Sequence, residues 1–111
     1  MLVGRSSPFG GKTRTRVLVA LRLLEESYPR ELARILALPL NGVQQALRSL
    51  ELDGLVAARA AGRTRLFRVD PRYFAYDELQ RYLLSLSNPE KDLRRRVATL
   101  RRRPRRTGKE L

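Results

Sequence analysis

The chain has 111 residues, contains no Cys and no His, and has 24 Lys and Arg residues against 11 Asp and Glu, a formal net charge of +13. Without Cys or His it cannot form a disulfide, a zinc finger, a Cys/His metal sensor, a Cys nucleophile or a Ser-His-Asp triad. Its length allows one domain with one or two additional helices, and a pI near 11.5 indicates a polyanionic partner, most commonly nucleic acid.

Three helices are predicted in the first half of the chain. Residues 1–11 are rich in Gly, Ser and Pro and should form a flexible N-terminus. Apolar residues at helical spacing predict a first helix over residues 13–26, and Ser-Tyr-Pro at 27–29 ends it and starts a short second helix. The third helix follows Pro39 and extends from about residue 40 to 53. The predicted buried positions are Val17, Ala20, Leu21 and Leu24 in the first helix, Leu32, Ile35 and Leu36 in the second, and Val43, Ala46, Leu47 and Leu50 in the third.

A hairpin and two further helices are predicted after the third helix. Residues 55–59 and 64–69 change to a strand pattern, with Gly62 in the turn that joins them. Apolar residues return to helical spacing over residues 73–87, and an Asn-Pro-Glu sequence then starts a last, Arg-rich helix. This helix should end before Pro104, beyond which the chain is predicted to be disordered.

The order α-α-α-β-β-α-α, with a short turn between helices two and three, predicts a mainly α winged helix-turn-helix with a small β-hairpin. We expect four segments, which are a flexible N-terminus (1–11), a winged helix-turn-helix domain (12–70), a post-wing helix (71–88) and a basic C-terminal helix and tail (89–111). The net charge is +6 over residues 1–70, zero in the post-wing segment and +7 in the basic segment.

Three stretches resemble a known group. ELARILALPLNGVQQALRSLELDGLV at residues 31–56 resembles, without gaps, the helix-turn-helix of ArsR-type winged-helix repressors. PFGGKTRTRVL at 8–18 and DPRYFAYDEL at 70–79 resemble a bacterial and archaeal subgroup with a Phe-Gly-(Ser/Gly)-Lys-Thr-Arg segment before helix one. The resemblance covers roughly residues 8–86 and implies a DNA-binding regulator. Metal sensing is not implied, because this chain lacks the Cys and His ligands of the metal-sensing members.

The outer face of helix three is the predicted base-contacting surface. Helix-turn-helix proteins place this helix in the major groove of duplex DNA, where Asn and Gln pair with adenine and Arg pairs with guanine. A polar face that is merely solvated is the alternative, since every amphipathic helix has one. The predicted base contacts are Asn41, Gln44, Gln45 and Arg48.

Arginine and lysine residues elsewhere are predicted to contact the DNA backbone or the minor groove. Near the hairpin turn, the alternative is a set of solvated edge-strand charges. Arg65 shares an ideal pleat side with Phe67, so either strand twist separates them or the Arg stem packs on the core. The Gly-Gly-Lys-Thr sequence at residues 10–13 lacks the preceding strand of a nucleotide-binding phosphate loop, so we expect no nucleotide hydrolysis. With no His, no Cys and no clustered acids, we expect no enzyme. The predicted backbone contacts are Lys12, Arg14, Arg30, Arg59, Arg63 and Arg65.

The last two helices have two predicted roles. An apolar and aromatic stripe after the wing is typical of a core or a dimer contact, and we assign it to a homodimer interface that would match a palindromic DNA site. The last helix has a narrow apolar side of Leu93, Val97 and Leu100, so we expect it to contact the nucleic-acid backbone; a packing helix, or a membrane or partner surface, is the alternative. The predicted dimer contacts are Tyr73, Phe74, Leu79, Tyr82, Leu83 and Leu86.

The main functional hypothesis is a cytoplasmic, homodimeric, sequence-specific transcriptional regulator that binds double-stranded DNA. The alternative is an architectural protein that coats DNA without sequence preference, or an adaptor that binds a partner protein through its C-terminal helices. Ala37, Pro39 and Gly42 favour this alternative, because the turn and the start of the third helix more often contain Gly, a Ser or Thr cap, and a DNA-contacting Ser or Thr.

Overall fold

The computed structural model describes residues 9–102; the irregular segment predicted for residues 1–8 and the disorder predicted beyond Pro104 lie outside the described residues. The predicted order of helices and strands is confirmed, and the fold is a winged helix-turn-helix. The elements are α1 (Lys12–Leu24), α2 (Pro29–Leu36), α3 (Leu40–Leu52), β1 (Val56–Ala61), β2 (Thr64–Val69), α4 (Tyr76–Ser87) and α5 (Lys91–Arg102).

Helix α1 is the centre of the core. Its residues 17–21 are each 2% exposed or less, so this part of the helix is buried on every side. It packs against the other four helices and against β2. The periodicity of the sequence predicted one buried face that Leu18 broadens, and the structure adds Val19 to it because helices on both sides of the wing in sequence pack on α1.

The turn between α2 and α3 fixes the angle of the helix-turn-helix. Ala37 adopts the left-handed conformation (φ 56°), and the amide of Leu38 donates to the carbonyl of Ala33 at 3.0 Å, a Schellman closure that usually contains glycine. Pro39 then occupies the N-cap of α3. The predicted buried faces of α2 and α3 are confirmed, so the opposite face of α3 points outward.

The wing is an antiparallel pair of strands closed by a two-residue turn. Ala61 pairs with Thr64, and Gly62 takes the first turn position at a φ of +66°. Ser27 forms an additional bridge to Phe67, with backbone hydrogen bonds of 3.0 and 2.7 Å in the two directions. This bridge attaches the base of the wing to the loop between α1 and α2, and the sequence analysis did not predict it.

The helices after the wing belong to the same core as α1. Leu79, Leu83 and Leu86 of α4 are buried. Their predicted role in a dimer interface is therefore corrected, because a side chain that packs inside its own chain offers no surface to a second copy. Leu93 and Val97 of α5 are buried as well, so the apolar side of this helix packs on the domain, as one of the predicted alternatives had it. Within residues 9–102, no helix combines the length and the apolar character needed to cross a bilayer.

Candidate nucleic-acid interface

A groove of about 430 Å³ lies between α3 and the wing and begins at the N-terminus of α2. Arg30 lines it from α2, Gln44 and Arg48 line it from α3, and Arg63 lines it from the turn of the wing. Glu51 is the one acidic residue among the described residues that line it. The groove therefore combines an amide, several guanidinium groups and a positive potential, a chemistry suited to base edges and phosphates.

The polar face of α3 is exposed at all four predicted base-contacting positions, which are Asn41, Gln44, Gln45 and Arg48. Gln44 and Arg48 are one turn apart and line the groove, whereas Asn41 and Gln45 lie on the same exposed side of the helix outside its lining. A β-carbon at Gly42 would meet no atom within 4 Å, so the packing of the chain itself does not require a glycine there.

Two of the three predicted wing arginines are held by carboxylates. Arg59 donates to both oxygens of Glu26 at 2.8 and 3.0 Å, and these bonds raise the pKa of Arg59 above its usual value. Arg65 donates to Glu51 at 2.9 Å, and its guanidinium lies 5.1 Å from the centre of the Phe67 ring. The guanidinium of Arg65 thus lies over the buried Phe67 ring, so strand twist does not separate the two residues.

Arg63, at the tip of the wing, is exposed and forms no ion pair with any residue between 9 and 102. The same is true of Arg30 and Arg48 within that range. These three residues are the predicted cationic contacts that the structure brings together at the groove with their charges uncompensated.

Arg14 points into the protein, away from the position expected for a phosphate contact. Its side chain is 18% exposed and bonds to Asp53 at 2.8 Å, to Ser49 Oγ at 2.5 Å and to the carbonyl of Phe9. Gly10 has a φ of +97°, and a β-carbon there would lie 3.0 Å from Arg14 Nε. The Phe-Gly-Gly-Lys-Thr-Arg segment therefore anchors α1 to α3. The predicted phosphate role of Arg14 is corrected, because its side chain is largely buried and its charge is paired with Asp53. Lys12 is exposed at the start of the same helix.

Three arginines outside the groove lining bind carbonyl groups at helix ends. Arg16 donates to Leu36 O at 3.2 Å, Arg96 donates to Ile35 O, and Arg101 donates to Leu23 O at 2.8 Å. Helix C-termini have unpaired carbonyls and a partial negative charge, which a guanidinium stabilises. Part of the large arginine content therefore serves the fold.

Sequence analysis missed some residues that line the groove, among them Tyr28, Glu51 and Thr64. Glu51 follows Arg48 by three positions and Gln44 by seven, so helical spacing alone could have placed it on the same face. Between residues 9 and 102 there is no cluster of three or more Asp or Glu that could hold a metal ion.

No protein-family model matches the sequence, and no curated protein is significantly similar to it. Among solved structures, the fold is similar to that of ZitR from Lactococcus lactis, determined as a point mutant, with a TM-score of 0.56 and 20% sequence identity. The alignment covers 78% of this chain and 62% of the ZitR chain, so this chain spans less than two thirds of the length of the protein it matches. At this identity the likeness concerns the fold, which it supports as a winged helix-turn-helix.

Proposed function

We propose that the protein is a sequence-specific, double-stranded DNA-binding transcriptional regulator of the ArsR-like type. The observation that carries this proposal is the groove between α3 and the wing, which gathers Gln44 and Arg48 with the uncompensated charges of Arg30 and Arg63. The sequence resemblance of residues 8–86 to ArsR-type repressors supports this proposal.

In the proposed complex, α3 enters the major groove. A helix with its side chains is about 10–12 Å across and the major groove is about 12 Å wide, so the helix fills the groove. Gln44 would pair with adenine and Arg48 with guanine, while Asn41 and Gln45 would contact neighbouring bases or the groove edge. Arg63 would lie on the backbone or in the minor groove, and Arg30 and Lys12 would contact phosphates.

We also propose that the protein acts as a cytoplasmic homodimer without a cofactor. With Leu79, Leu83 and Leu86 buried, the exposed apolar residues of α4 and of the segment before it that could meet a second copy are Phe74, Tyr82 and Leu84. Phe74 is 91% exposed and packs on Tyr73 at a ring-centroid distance of 4.9 Å, and Tyr82 is partly exposed. Two copies related by a two-fold axis would bind a palindromic site with half-sites about one helical turn apart.

The test is selection of bound sequences from random duplex DNA at moderate salt, followed by binding measurements on Arg48→Ala and Arg63→Ala. We expect a symmetric consensus. Arg48→Ala should cost about 1–3 kcal/mol on the consensus and relax the preference at one base pair, since a bidentate contact is lost. Arg63→Ala should weaken binding to all sequences alike, since a phosphate carries no sequence information.

Selection without enrichment, together with equal affinity for random duplexes, would contradict sequence-specific regulation and favour the DNA-coating alternative. An Arg48→Ala protein with unchanged affinity and unchanged preference would contradict the assignment of α3 as the base-contacting helix.

A further inference from the structure

The exposed side of α2 continues the positive surface beyond the groove. Arg30 lies at the groove, and Arg34 follows it by four residues, so the two side chains leave the same face of the helix about 6 Å apart. Arg34 is exposed and forms no ion pair within the described part of the chain. Glu31, the acidic residue of α2, is 3% exposed and accepts a hydrogen bond from Ser27 Oγ at 2.6 Å, so its carboxylate lies in the interior and not on this face.

Helix α5 adds a positive charge at the far end of α2. Arg96 is exposed, and its Nη1 donates to the carbonyl of Ile35, at the C-terminus of α2. This carbonyl is neutral, so the bond positions the guanidinium without cancelling its charge. Glu90, which precedes α5, is paired with Arg16 at 3.8 Å. Ala37, between Arg34 and the following turn, is small and exposed, which leaves room for close approach along the helix.

We propose that Arg34 and Arg96 form a second run of phosphate contacts, which continues from Arg30 and lies along one strand of the same duplex whose bases meet α3. The eight residues of α2 span about 12 Å. This length is sufficient for Arg30, Arg34 and Arg96 to reach successive phosphates of one strand. The inference rests on the proposed function and adds α5 to the DNA-contacting surface.

The contacts would be independent of sequence and would act through counterion release. Each phosphate neutralised by a basic side chain adds about 0.9 to the magnitude of the slope of log affinity against log salt concentration. Removing one of the two charges should therefore lower that slope without changing the preferred sequence.

The first experiment compares Arg34→Gln with Arg81→Gln as a matched control. Arg81 is exposed on α4 and forms no ion pair within residues 9–102, so its substitution removes the same charge at a different surface. Affinity for the selected duplex is measured between about 50 and 200 mM salt, the range in which phosphate contacts change affinity strongly. We expect the magnitude of the slope to fall by about 0.9 for each bound copy, about 1.8 for the dimer, with Arg34→Gln and to stay unchanged with Arg81→Gln.

The second experiment separates the charge of Arg96 from its contact with Ile35. Arg96→Gln should lower the magnitude of the slope by about 0.9 for each bound copy, about 1.8 for the dimer. Arg96→Lys keeps the charge and should keep the slope, and the thermal midpoint of each variant is recorded. Equal slopes for Arg34→Gln and Arg81→Gln would overturn the role of Arg34, and a wild-type slope for Arg96→Gln would overturn that of Arg96. In both cases the parent chain still binds its selected duplex, whereas a parent chain that binds no duplex contradicts the proposed function itself.

Discussion

Arginine has two opposite roles in this domain, one at the groove and one in contacts within the chain. At the groove, Arg30, Arg48 and Arg63 are exposed and form no ion pair within the described residues. Away from the groove lining, Arg14 and Arg101 bind carboxylates and backbone carbonyls of their own chain. The net charge of the chain therefore overstates the charge that is available to a partner, because a paired guanidinium must first lose its internal contact.

The wing lies between these two extremes. Arg59 and Arg65 are exposed, yet each is paired with a carboxylate from the helical part of the domain, Glu26 and Glu51 respectively. These pairs connect the wing to the loop before α2 and to α3. Since exposed ion pairs contribute little to stability, their main effect is to orient the strands and to reduce the local positive charge.

The largest expected effect concerns Arg14, an arginine that is paired within its own chain. Arg14→Ala should lower the free energy of unfolding by about 2 kcal/mol, because it removes hydrogen bonds to Ser49, Asp53 and Phe9 from a largely buried side chain. Denaturant unfolding followed by circular dichroism measures this loss. Arg63→Ala is the matched control, since it removes an exposed arginine, and it should change stability by no more than about 0.5 kcal/mol. Equal stabilities of the two variants would contradict the distinction between paired and free arginines.

A second prediction concerns Gly42 at the start of α3, where the residue that is best for DNA binding can differ from the residue that is best for stability. Gly42→Ala should raise the free energy of unfolding by up to about 1 kcal/mol, because alanine is the better helix former and its β-carbon meets no atom. The same methyl group should weaken duplex binding if DNA approaches the start of α3 closely. Gly54→Ala provides the contrast: Gly54 has a φ of +78°, so alanine there should destabilise the fold.

These two variants are compared by thermal unfolding and by titration with the selected duplex. A Gly42→Ala protein that is stabilised and binds with unchanged affinity would show that no partner backbone passes near this position. The duplex titration tests whether DNA approaches this surface, and thermal unfolding separately tests the effect on stability.

The smallest expected effect tests the charge that limits the groove. Glu51→Gln removes the ion pair with Arg65 and one negative charge from the groove lining, so affinity for random duplexes should rise several-fold at low salt and the preference for the selected site should fall. Stability should change little, because the Arg65 side chain is more than half exposed. Glu78→Gln on α4 makes the same charge change away from the groove, and its effect on affinity should be smaller. Equal effects of the two variants on affinity would show that net charge alone is responsible.

The sequence pattern was sufficient to predict the helices and strands, but not to predict which surfaces cover their apolar faces. The helical spacing of Val43, Ala46 and Leu47 correctly predicted which side of α3 is buried and which is exposed. The equally clear stripe of Leu79 and Leu83 was assigned to a second copy, although it packs inside the chain. Periodicity identifies an apolar face and is silent on what covers it, because any apolar surface of matching shape stabilises that face equally well.

The sequence by itself determined the order of the helices and strands, the outward polar face of α3 and the excess of arginine. These properties depend on local spacing and composition, which short-range geometry converts directly into faces and turns. Only the tertiary structure decided which arginines stay free, because the pairs that occupy the others join residues far apart in the chain, such as Arg14 with Asp53 and Arg59 with Glu26. An ion pair depends on a few ångströms of distance in space, and the fold alone sets that distance.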